Sequence, residues 1–435
     1  MTKLAFGLLC RLHSHHRTFT LSLLPAILLS LISFPAAHAQ TFTLIHYFTG
    51  RDGAYPMAGL TWDQAGNLYG TTMEGGDVQA CPQPGGGCGT VFKLSKHGAS
   101  WTLTPLFLFN GYSAGAWPFA RVTFGPDGAL YGTTAGVYQV DQCPPHCGTV
   151  FRLTPPARNC AASHCSWTQK VLYEFDGQVG GKPRGPVTFD SAGNLYSTTS
   201  QGGAGCGIVF QMTRSGGQWT FATLYDFLDG QDGCLPYSGV VVDHAGNLYG
   251  TATQAGLPGF NWGTVYALSP SDAGWIETTL YQFQNQADGF GPYGGLIFDT
   301  AGNLVGTTAS GGSDLYGGTV FELTPGGANW NYNFVFNLPS LGIQGSGGPS
   351  DTLLQDAAGN LYGTTFSEGT HGYGSVFKLT PSNGNWIYTD LYDFTGGSDG
   401  AHPAGGVVMD AAGNLFGTTS AAGGPGKGTI FEITP

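Results

Sequence analysis

The chain has 435 residues, of which 73 are glycine, 41% are hydrophobic, 13% are aromatic and only 10% are charged. This composition is typical of a folded, turn-rich β protein, since globular chains usually carry about 25% charged residues, and it excludes a disordered polar chain. With a net charge of −12 and only 15 Lys and Arg residues, the chain lacks the basic clusters that nucleic acids and anionic membranes attract.

Residues 1–39 have the pattern of a secretory signal peptide. Basic residues precede an apolar run over residues 21–34, and Ala37-His38-Ala39 forms a small-x-small cleavage site. The run is shorter than the roughly 20 residues that a membrane span needs. We therefore expect cleavage after Ala39 and a secreted or periplasmic protein with no membrane span in the mature chain.

Residues 40–435 consist of one module repeated seven times at intervals of 53 to 65 residues. Its most regular segment is Asp63-Gln64-Ala65-Gly66-Asn67-Leu68-Tyr69-Gly70-Thr71-Thr72, and a degenerate copy begins at Gly125. A second segment, Gly89-Thr90-Val91-Phe92-Lys93-Leu94, follows in every module. A third begins with tryptophan, as in residues 219–227. Each is rich in β-branched and aromatic residues and bounded by Gly, Pro or Asn, which predicts strands.

One module predicts four strands, over residues 59–63, 68–73, 90–95 and 101–109, with no helical segment between them. Short antiparallel strands in units of this size are typical of propeller blades. The seventh module ends after its third strand, and residues 41–50 resemble the missing fourth. The sequence therefore predicts an all-β protein: a seven-bladed β-propeller of four-stranded antiparallel blades, in which the N-terminal strand closes the last blade.

These motifs resemble the GloVer tandem repeat of exported bacterial proteins, and the resemblance covers essentially all of residues 41–435. It implies export and a repeat fold, and it supplies no catalytic residue. Many such proteins end in a surface anchor. Here the sequence reaches Pro435 without a hydrophobic tail or sorting motif, so we expect neither a covalent nor a membrane anchor.

Two recurring residue types could suggest ligand sites, but we interpret them as structural. The repeated aspartates could bind calcium, yet calcium needs six to eight oxygens and each turn offers one carboxylate, so a turn-forming role is favoured. The repeated tryptophans are expected to pack between blades rather than to form a carbohydrate platform. The aspartates are Asp63, Asp190, Asp243, Asp299, Asp356 and Asp410, and the tryptophans are Trp101, Trp167, Trp219, Trp275, Trp330 and Trp386.

Eight cysteines follow the signal peptide, and an even number in an exported protein indicates disulfides. The predicted pairs are Cys81 with Cys88, Cys143 with Cys147, Cys160 with Cys165, and Cys206 with Cys234. The cysteines at 143–165, with two histidines, could alternatively bind zinc, but an intervening strand of about seven residues would hold them some 20 Å apart. Free thiols are the remaining alternative. We expect no metal and no cofactor.

The connections after the second and fourth strands of each blade should form one face, and this face varies between modules. Functional residues concentrate on such variable loops. Arg121 is an individual candidate because uncharged residues occupy its equivalents and its strand should line the central channel; a buried counter-ion role is the alternative. The other candidates are Tyr55, Trp117, Tyr237, Trp262, Tyr293, Tyr316 and Tyr373, with Asp52, Asp232, Asp288 and Asp399 as polar partners, although the aspartates could simply shape their loops.

Three functions remain open: an extracellular scaffold that binds a glycan or protein, a propeller enzyme of the lyase or lactonase type at the central channel, and a structural envelope protein. No nucleophile elbow, metalloprotease motif or phosphate loop occurs. We favour binding by a monomer through the varied face.

Overall fold

The computed structural model describes residues 40–81, 86–111, 114–136, 147–156, 166–228, 230, 232–254, 262–284, 287–313, 316–326, 329–340 and 347–434. The predicted signal peptide lies outside these ranges. The described residues form strands and turns, and none of them belongs to a helix long and apolar enough to cross a membrane.

The twenty-eight described strands form seven four-stranded antiparallel sheets, which are the blades of a seven-bladed β-propeller. Blade one is β2 Thr61–Trp62, β3 Leu68–Thr72, β4 Thr90–His97 and β5 Ser100–Leu108; blade two is β6 Thr123–Phe124, β7 Leu130–Thr134, β8 Thr149–Thr154 and β9 Thr168–Glu174; blade three is β10 Thr188–Phe189, β11 Leu195–Thr199, β12 Ile208–Ser215 and β13 Gln218–Asp226; blade four is β14 Val241–Val242, β15 Leu248–Ala252, β16 Thr264–Ser271 and β17 Gly274–Gln282. Blade five is β18 Ile297–Phe298, β19 Leu304–Thr308, β20 Thr319–Gly326 and β21 Asn329–Asn337; blade six is β22 Leu354–Gln355, β23 Leu361–Thr365, β24 Ser375–Ser382 and β25 Asn385–Asp393; blade seven is β26 Val408–Met409, β27 Leu415–Thr419, β28 Thr429–Thr434 and β1 Thr41–Tyr47.

The first strand of each blade has two residues, fewer than the sequence pattern suggested. In blade one Asp63 begins the turn to β3. Gly59, in the connection that enters blade one, approaches the corresponding connection of blade seven so closely that a Cβ there would lie 2.7 Å from the carbonyl oxygen of Gly406. The residues just before the first strand therefore pack against the backbone of the neighbouring blade instead of pairing within their own sheet.

The predicted closure of the ring is confirmed. Strand β1 pairs antiparallel with β28 in the order β1-β28-β27-β26, with Thr41 opposite Thr434 and Tyr47 opposite Thr429. The register slips between Leu44 and His46, as it does at the equivalent position of β13 in blade three. The N-terminal strand thus completes blade seven with the same geometry as an intact blade.

The core lies between the blades. Phe109, which follows β5 of blade one, is fully buried and meets Phe151 of blade two edge-on at 5.3 Å. Burying such a side chain contributes about 1.5–3 kcal/mol. Equivalent buried side chains follow the fourth strand of the other blades: Phe48, Phe175, Phe227, Phe283, Leu338 and Phe394. Each blade is therefore held mainly by its neighbours, as expected for the fourth-strand aromatics.

The repeated tryptophans pack across the same junctions, as predicted. Trp219 of blade three lies 5.8 Å from the ring of Tyr131 in blade two, and Trp101 of blade one lies 5.7 Å from Phe416 in blade seven. Their rings are covered by the preceding blade, which accounts for their recurrence without a ligand.

The repeated aspartates close the turns after the first strands. The carboxylate of Asp63 accepts hydrogen bonds from the backbone N–H groups of Ala65 and Asn67, from the Asn67 amide and from the Tyr69 hydroxyl. Burial opposes ionisation, but these donors outweigh it and lower the pKa of Asp63. No group of three or more metal-ligating side chains occurs in the described ranges, so the structural interpretation accounts for these carboxylates.

Candidate functional site

Each blade is connected to the next by a leading segment, which runs from the outer fourth strand to the inner first strand of the following blade. Each segment contains a proline at one shared repeat position, which we call the leading proline: Pro56, Pro118, Pro183, Pro236, Pro292, Pro349 and Pro403. The residue after each leading proline lines a cavity of about 80 Å³ on the axis of the ring. We call this cavity the channel mouth. The seven residues that follow the leading prolines are Met57, Phe119, Arg184, Tyr237, Tyr293, Ser350 and Ala404.

The leading segments are fixed by two backbone hydrogen bonds just before the proline. In blade three, Lys182 donates to the carbonyl of Cys147 in blade two at 2.7 Å and accepts from Ser200 of its own blade at 3.3 Å. The residue at this position has a left-handed backbone, with φ between 51° and 58° for Tyr55, Trp117, Lys182, Leu235 and His402. Side chains other than glycine rarely adopt this conformation, and it persists because its surroundings determine it. The proline and the residue after it are thereby held in place.

The first threonine of the Leu-Tyr-Gly-Thr-Thr motif anchors the leading segment of the following blade. Thr133 Oγ1 donates to the carbonyl of Gly185 at 3.1 Å, and Thr198 Oγ1 donates to the carbonyl of Ser238 at 2.6 Å. Thr418 makes the equivalent bond to Ala58 across the closed ring at 3.0 Å. A motif that recurs for structural reasons therefore positions the residues that line the channel mouth.

One side of the channel mouth is aromatic and cationic. The Arg184 guanidinium lies 4.6 Å from the centre of the Phe119 ring and 5.0 Å from that of Tyr237. The rings of Tyr237 and Tyr293 follow at 5.5 Å. These four residues come from four consecutive blades, and we call them the aromatic crescent. Met57 of blade one and the small residues Ser350 and Ala404 of blades six and seven complete the ring.

Arg121 lies deeper in the channel. It lines the channel mouth and also a second cavity of about 500 Å³, whose walls are first-strand residues such as Trp62, Phe124 and Phe189. The predicted position of Arg121 on the channel wall is thus observed. Within the described residues, neither Arg121 nor Arg184 forms an ion pair, and the Nε of Arg184 is buried without a hydrogen-bond partner.

The carboxylate of Asp351, which lines the channel mouth outside the aromatic crescent, already accepts hydrogen bonds from the backbone. Asp351 accepts a hydrogen bond from the N–H of Thr352 and another from that of Gly406, each at 2.7 Å. Burial and the neighbouring Tyr237 raise the pKa of Tyr293, although the positive charge of Arg184 opposes this shift. Tyr293 therefore stays a neutral phenol near neutral pH.

The four aspartates proposed as polar partners brace the loops that follow the fourth strands. Their carboxylates accept hydrogen bonds from a side chain of the preceding strand and from loop donors. The contacts are Asp52 with His46 and Thr49, Asp232 with Tyr225 and Leu228, Asp288 with Tyr281 and Gln284, and Asp399 with Tyr392 and Thr395. This geometry matches the alternative that these residues shape their loops; ligand binding by them stays a prediction.

Of the twelve candidate residues, Arg121, Tyr237 and Tyr293 line the channel mouth. Tyr55 lies beside Lys427, whose Nζ is 4.8 Å from its ring centre, and Trp262 packs against Phe290 at 5.1 Å. Trp117 and Tyr316 are half-buried, and Tyr373 is 42% exposed beside His402.

Disulfide-bonded cysteines lie at three consecutive blade junctions. Cys81 bonds to Cys88, and Cys206 bonds to Cys234 in the next leading segment; Cys147 is also disulfide-bonded. Cys143, Cys160 and Cys165 lie outside the described residues. Cys88, Cys147 and Cys206 occupy one repeat position, and their carbonyls accept the hydrogen bonds that fix the leading segments of blades two, three and four. These segments carry Phe119, Arg184 and Tyr237 of the aromatic crescent.

Sequence reasoning missed Phe119, Arg184 and Asp351. The signal that could have found the first two is positional: the residue directly after the leading proline is large and aromatic or cationic in four consecutive modules and small in two of the others. A comparison of that single position among the seven modules outlines the crescent.

Comparison with solved structures supports the propeller fold at low sequence identity. PorZ, an essential surface component of the type-IX secretion system of Porphyromonas gingivalis, has a TM-score of 0.50 at 12% identity over 88% of this chain and 46% of that one. This chain thus spans about half the length of PorZ. An ulvan lyase, a polysaccharide lyase, also has a TM-score of 0.50 at 11% identity over 88% and 94% of the two chains. These similarities indicate the fold alone.

No curated protein matches the sequence. The profile of the Gloeobacter/Verrucomicrobia repeat matches residues 33–169, 141–346 and 262–435, which overlap to cover the whole propeller. The motifs quoted above had indicated this assignment. The chain belongs to the Gloeobacter/Verrucomicrobia repeat family.

Proposed function

We propose that this protein is an exported binding protein that holds a carbohydrate at the channel mouth. The observation that carries the proposal is the aromatic crescent, in which four consecutive blades place Phe119, Arg184, Tyr237 and Tyr293 at one repeat position. Sites for organic ligands are typically concave and lined by aromatic side chains with a few polar groups that fix orientation. Sugar rings present apolar faces to aromatic rings and hydroxyl groups to such polar neighbours.

The rigidity of the crescent favours recognition. Its backbone is fixed by hydrogen bonds on both sides of each blade junction, and three of these junctions carry disulfide-bonded cysteines. A preorganised site loses little conformational entropy when a ligand binds. The propeller thereby holds Tyr293 in a fixed position at the rim of the channel mouth, where its side chain is 37% exposed.

Binding is favoured over catalysis by the state of the titratable groups. A general base should have a pKa near the working pH, whereas the pKa of Tyr293 is raised above its ordinary value. The crescent thus offers contact surface rather than an evident acid–base pair.

Export is supported by the cysteines. Disulfides persist in oxidising compartments such as the periplasm and the exterior of the cell, and the described residues contain two complete disulfides. Together with the signal-like residues 1–39, they support a secreted or periplasmic location. Cell fractionation with N-terminal sequencing of the exported protein tests this part, and an uncleaved protein in the cytoplasm would contradict it.

The binding proposal is tested with the disulfide-bonded protein on a glycan array, followed by calorimetric titration of the glycans retained. We expect Tyr237→Ala and Tyr293→Ala each to weaken binding by about twofold to tenfold, since aromatic contacts contribute about 0.5–1.5 kcal/mol. Tyr373→Ala is the matched control, because Tyr373 is similarly exposed but lies outside the channel mouth.

Three results would count against the proposal. The array could retain no glycan, Tyr373→Ala could weaken binding as much as Tyr237→Ala, or the wild-type protein could degrade the retained glycan. The last result would favour the lyase alternative. A change in chain length or ultraviolet absorbance of the glycan during prolonged incubation reports it directly.

A further inference from the structure

The channel mouth contains two positive charges that the described parts of the protein leave without a carboxylate partner. Arg121 and Arg184 line the cavity, and neither forms an ion pair there. By contrast, Arg152 and Arg214 both contact the carboxylate of Asp127. The chain has 27 acidic residues against 15 basic ones, so potential partners are abundant. Two guanidinium groups from consecutive blades thus line one cavity without an ion pair in the described residues.

Arg184 is already oriented for an anion. Its guanidinium is held against Phe119 and Tyr237, while its buried Nε has no hydrogen-bond partner. A guanidinium group presents five donors in a planar fork that fits the oxygens of a carboxylate or a comparable oxyanion. A buried donor without an acceptor costs free energy, so the protein itself does not fully satisfy this guanidinium.

The carboxylate at the mouth forms no ion pair with these arginines in the described residues. Asp351 uses its two oxygens to accept hydrogen bonds from Thr352 and Gly406. It thereby fixes the leading segments of blades six and seven, on the side of the ring opposite the crescent. The side formed by blades two and three keeps its positive charge.

The size of the channel mouth limits what can enter it. Its volume of about 80 Å³ is well below the roughly 300–1,000 Å³ of pockets that enclose a drug-sized ligand. A charged group can therefore enter the cavity, while the sugar that carries the group packs at the rim, where Tyr293 is exposed.

From these observations we infer that the ligand is an acidic polysaccharide, whose carboxylate or sulfate group is held by Arg121 and Arg184 while its sugar ring packs on Tyr237 and Tyr293. This inference rests on the proposed function and narrows it to one chemical class. Both acidic groups are oxyanions, so the arginines serve either, and the experiment distinguishes them.

The test compares three sets of oligosaccharides of equal length by calorimetric titration: uronate-containing, sulfated, and neutral counterparts made by carboxyl reduction or desulfation. Wild-type protein should bind at least one acidic set about tenfold to a hundredfold more tightly than its neutral counterpart, the range for a lost charge-assisted hydrogen bond. Arg121→Gln and Arg184→Gln should each remove most of this difference. Arg184→Lys, which keeps the charge but loses the fork, should retain part of it.

Arg51→Gln is the matched control, because it removes one positive charge from an exposed residue outside the cavity. It should leave the preference unchanged, and thermal unfolding verifies that every variant is folded. Equal binding of acidic and neutral oligosaccharides, or full affinity in both glutamine variants, would overturn the inference and leave carbohydrate binding intact. Failure of all three sets to bind would instead overturn the proposed function.

Discussion

The imidazole Nε2 of His46 lies 2.7 Å from the carboxylate Oδ2 of Asp52, and this contact joins the closing strand to the leading segment of blade one. At the equivalent position of other blades a tyrosine hydroxyl contacts the loop aspartate, as Tyr225 does with Asp232 at 3.0 Å. The junction between the two ends of the chain is thus braced like an internal junction, with histidine in place of tyrosine.

This contact predicts an acid-sensitive closure. Burial opposes ionisation of Asp52, but hydrogen bonds from His46 and Thr49 outweigh it and lower the pKa of Asp52 to about 2. Because an unfolded aspartate titrates near 3.9, the ionised carboxylate stabilises the fold above about pH 4, and this contribution is lost as the pH falls from about 4 to 2. We expect Asp52→Asn to lower the free energy of unfolding at pH 7 by about 1–2 kcal/mol.

Chemical denaturation at a series of pH values checks this prediction. The variant and wild-type curves should converge between pH 4 and 2. Asp272→Asn, at an exposed turn, provides the control and should follow the wild type. Wild-type and Asp52→Asn curves that stay parallel down to pH 2 would contradict the assignment.

Restoring the repeat motif in blade two should destabilise the protein. Gly125 replaces the repeated aspartate there, and Asp127 accepts the Tyr131 hydroxyl instead at 3.0 Å. A Cβ at Gly125 would lie 2.4 Å from the Tyr131 ring, which is buried against Phe189 and Trp219. Although consensus substitutions commonly stabilise, Gly125→Asp should cost about 1–3 kcal/mol through overpacking.

Thermal and urea unfolding measure this change, with Gly125→Ala as the variant that adds only the methyl group. We expect both substitutions to lower the free energy of unfolding. A Gly125→Asp protein as stable as the wild type would show that Tyr131 can move aside without cost.

The disulfide between Cys206 and Cys234 should support both stability and binding. It spans 28 residues, against 7 for Cys81 and Cys88, so loop entropy predicts about 3.5 against about 2.5 kcal/mol of stabilisation. Cys234 also lies three residues before Tyr237 of the crescent. Replacing both cysteines of the 206–234 pair with serine should therefore weaken carbohydrate binding. The double serine variant of the 81–88 pair should weaken it less, because both of these cysteines lie in the β3–β4 connection of blade one and their bond does not link two connections. Equal affinity in the two variants would argue against this positioning role.

Deleting residues 41–50 should sharply lower stability, because β28 would become an unpaired strand edge. A milder test uses Phe48→Ala, since Phe48 is fully buried against Phe92 of blade one at 5.4 Å. Its cost should be about 3–5 kcal/mol and should match that of Phe227→Ala, the equivalent residue of blade three. A much smaller cost for Phe48→Ala, or an unchanged melting temperature after the deletion, would mean that the terminal strand contributes little.

The architecture could be predicted from sequence because every blade repeats the same local signals. The seventh module lacks a fourth strand and residues 41–50 supply one, so the amino-acid pattern alone indicates seven blades. Arg121 stands out in the sequence because uncharged residues occupy its equivalents in other modules, and Tyr237 and Tyr293 stand out as aromatic residues of the variable face. Arg184 was missed because its role depends on Phe119 and Tyr237 of adjacent blades, more than fifty residues away in each direction, and single-module patterns do not contain such contacts.

The aspartates of the leading segments illustrate the opposite difficulty. Asp232 and Asp399 are polar, lie on the varied face and follow a conspicuous Asp-Gly pattern, which are features of both ligand-binding and loop-shaping residues. Only the position of the partner distinguishes the two roles: the Tyr225 and Tyr392 hydroxyls come from the preceding strand of the same connection.

The repeated Thr-Thr motif and the leading proline hold the backbone at the channel mouth independently of the side chain that follows the proline. Exchanging that one side chain in one blade therefore leaves the hydrogen bonds of the other blades in place. The ring offers seven positions at which natural variation can alter ligand preference one substitution at a time. Related proteins with the same repeats could in this way acquire different specificities while their stability remains nearly constant.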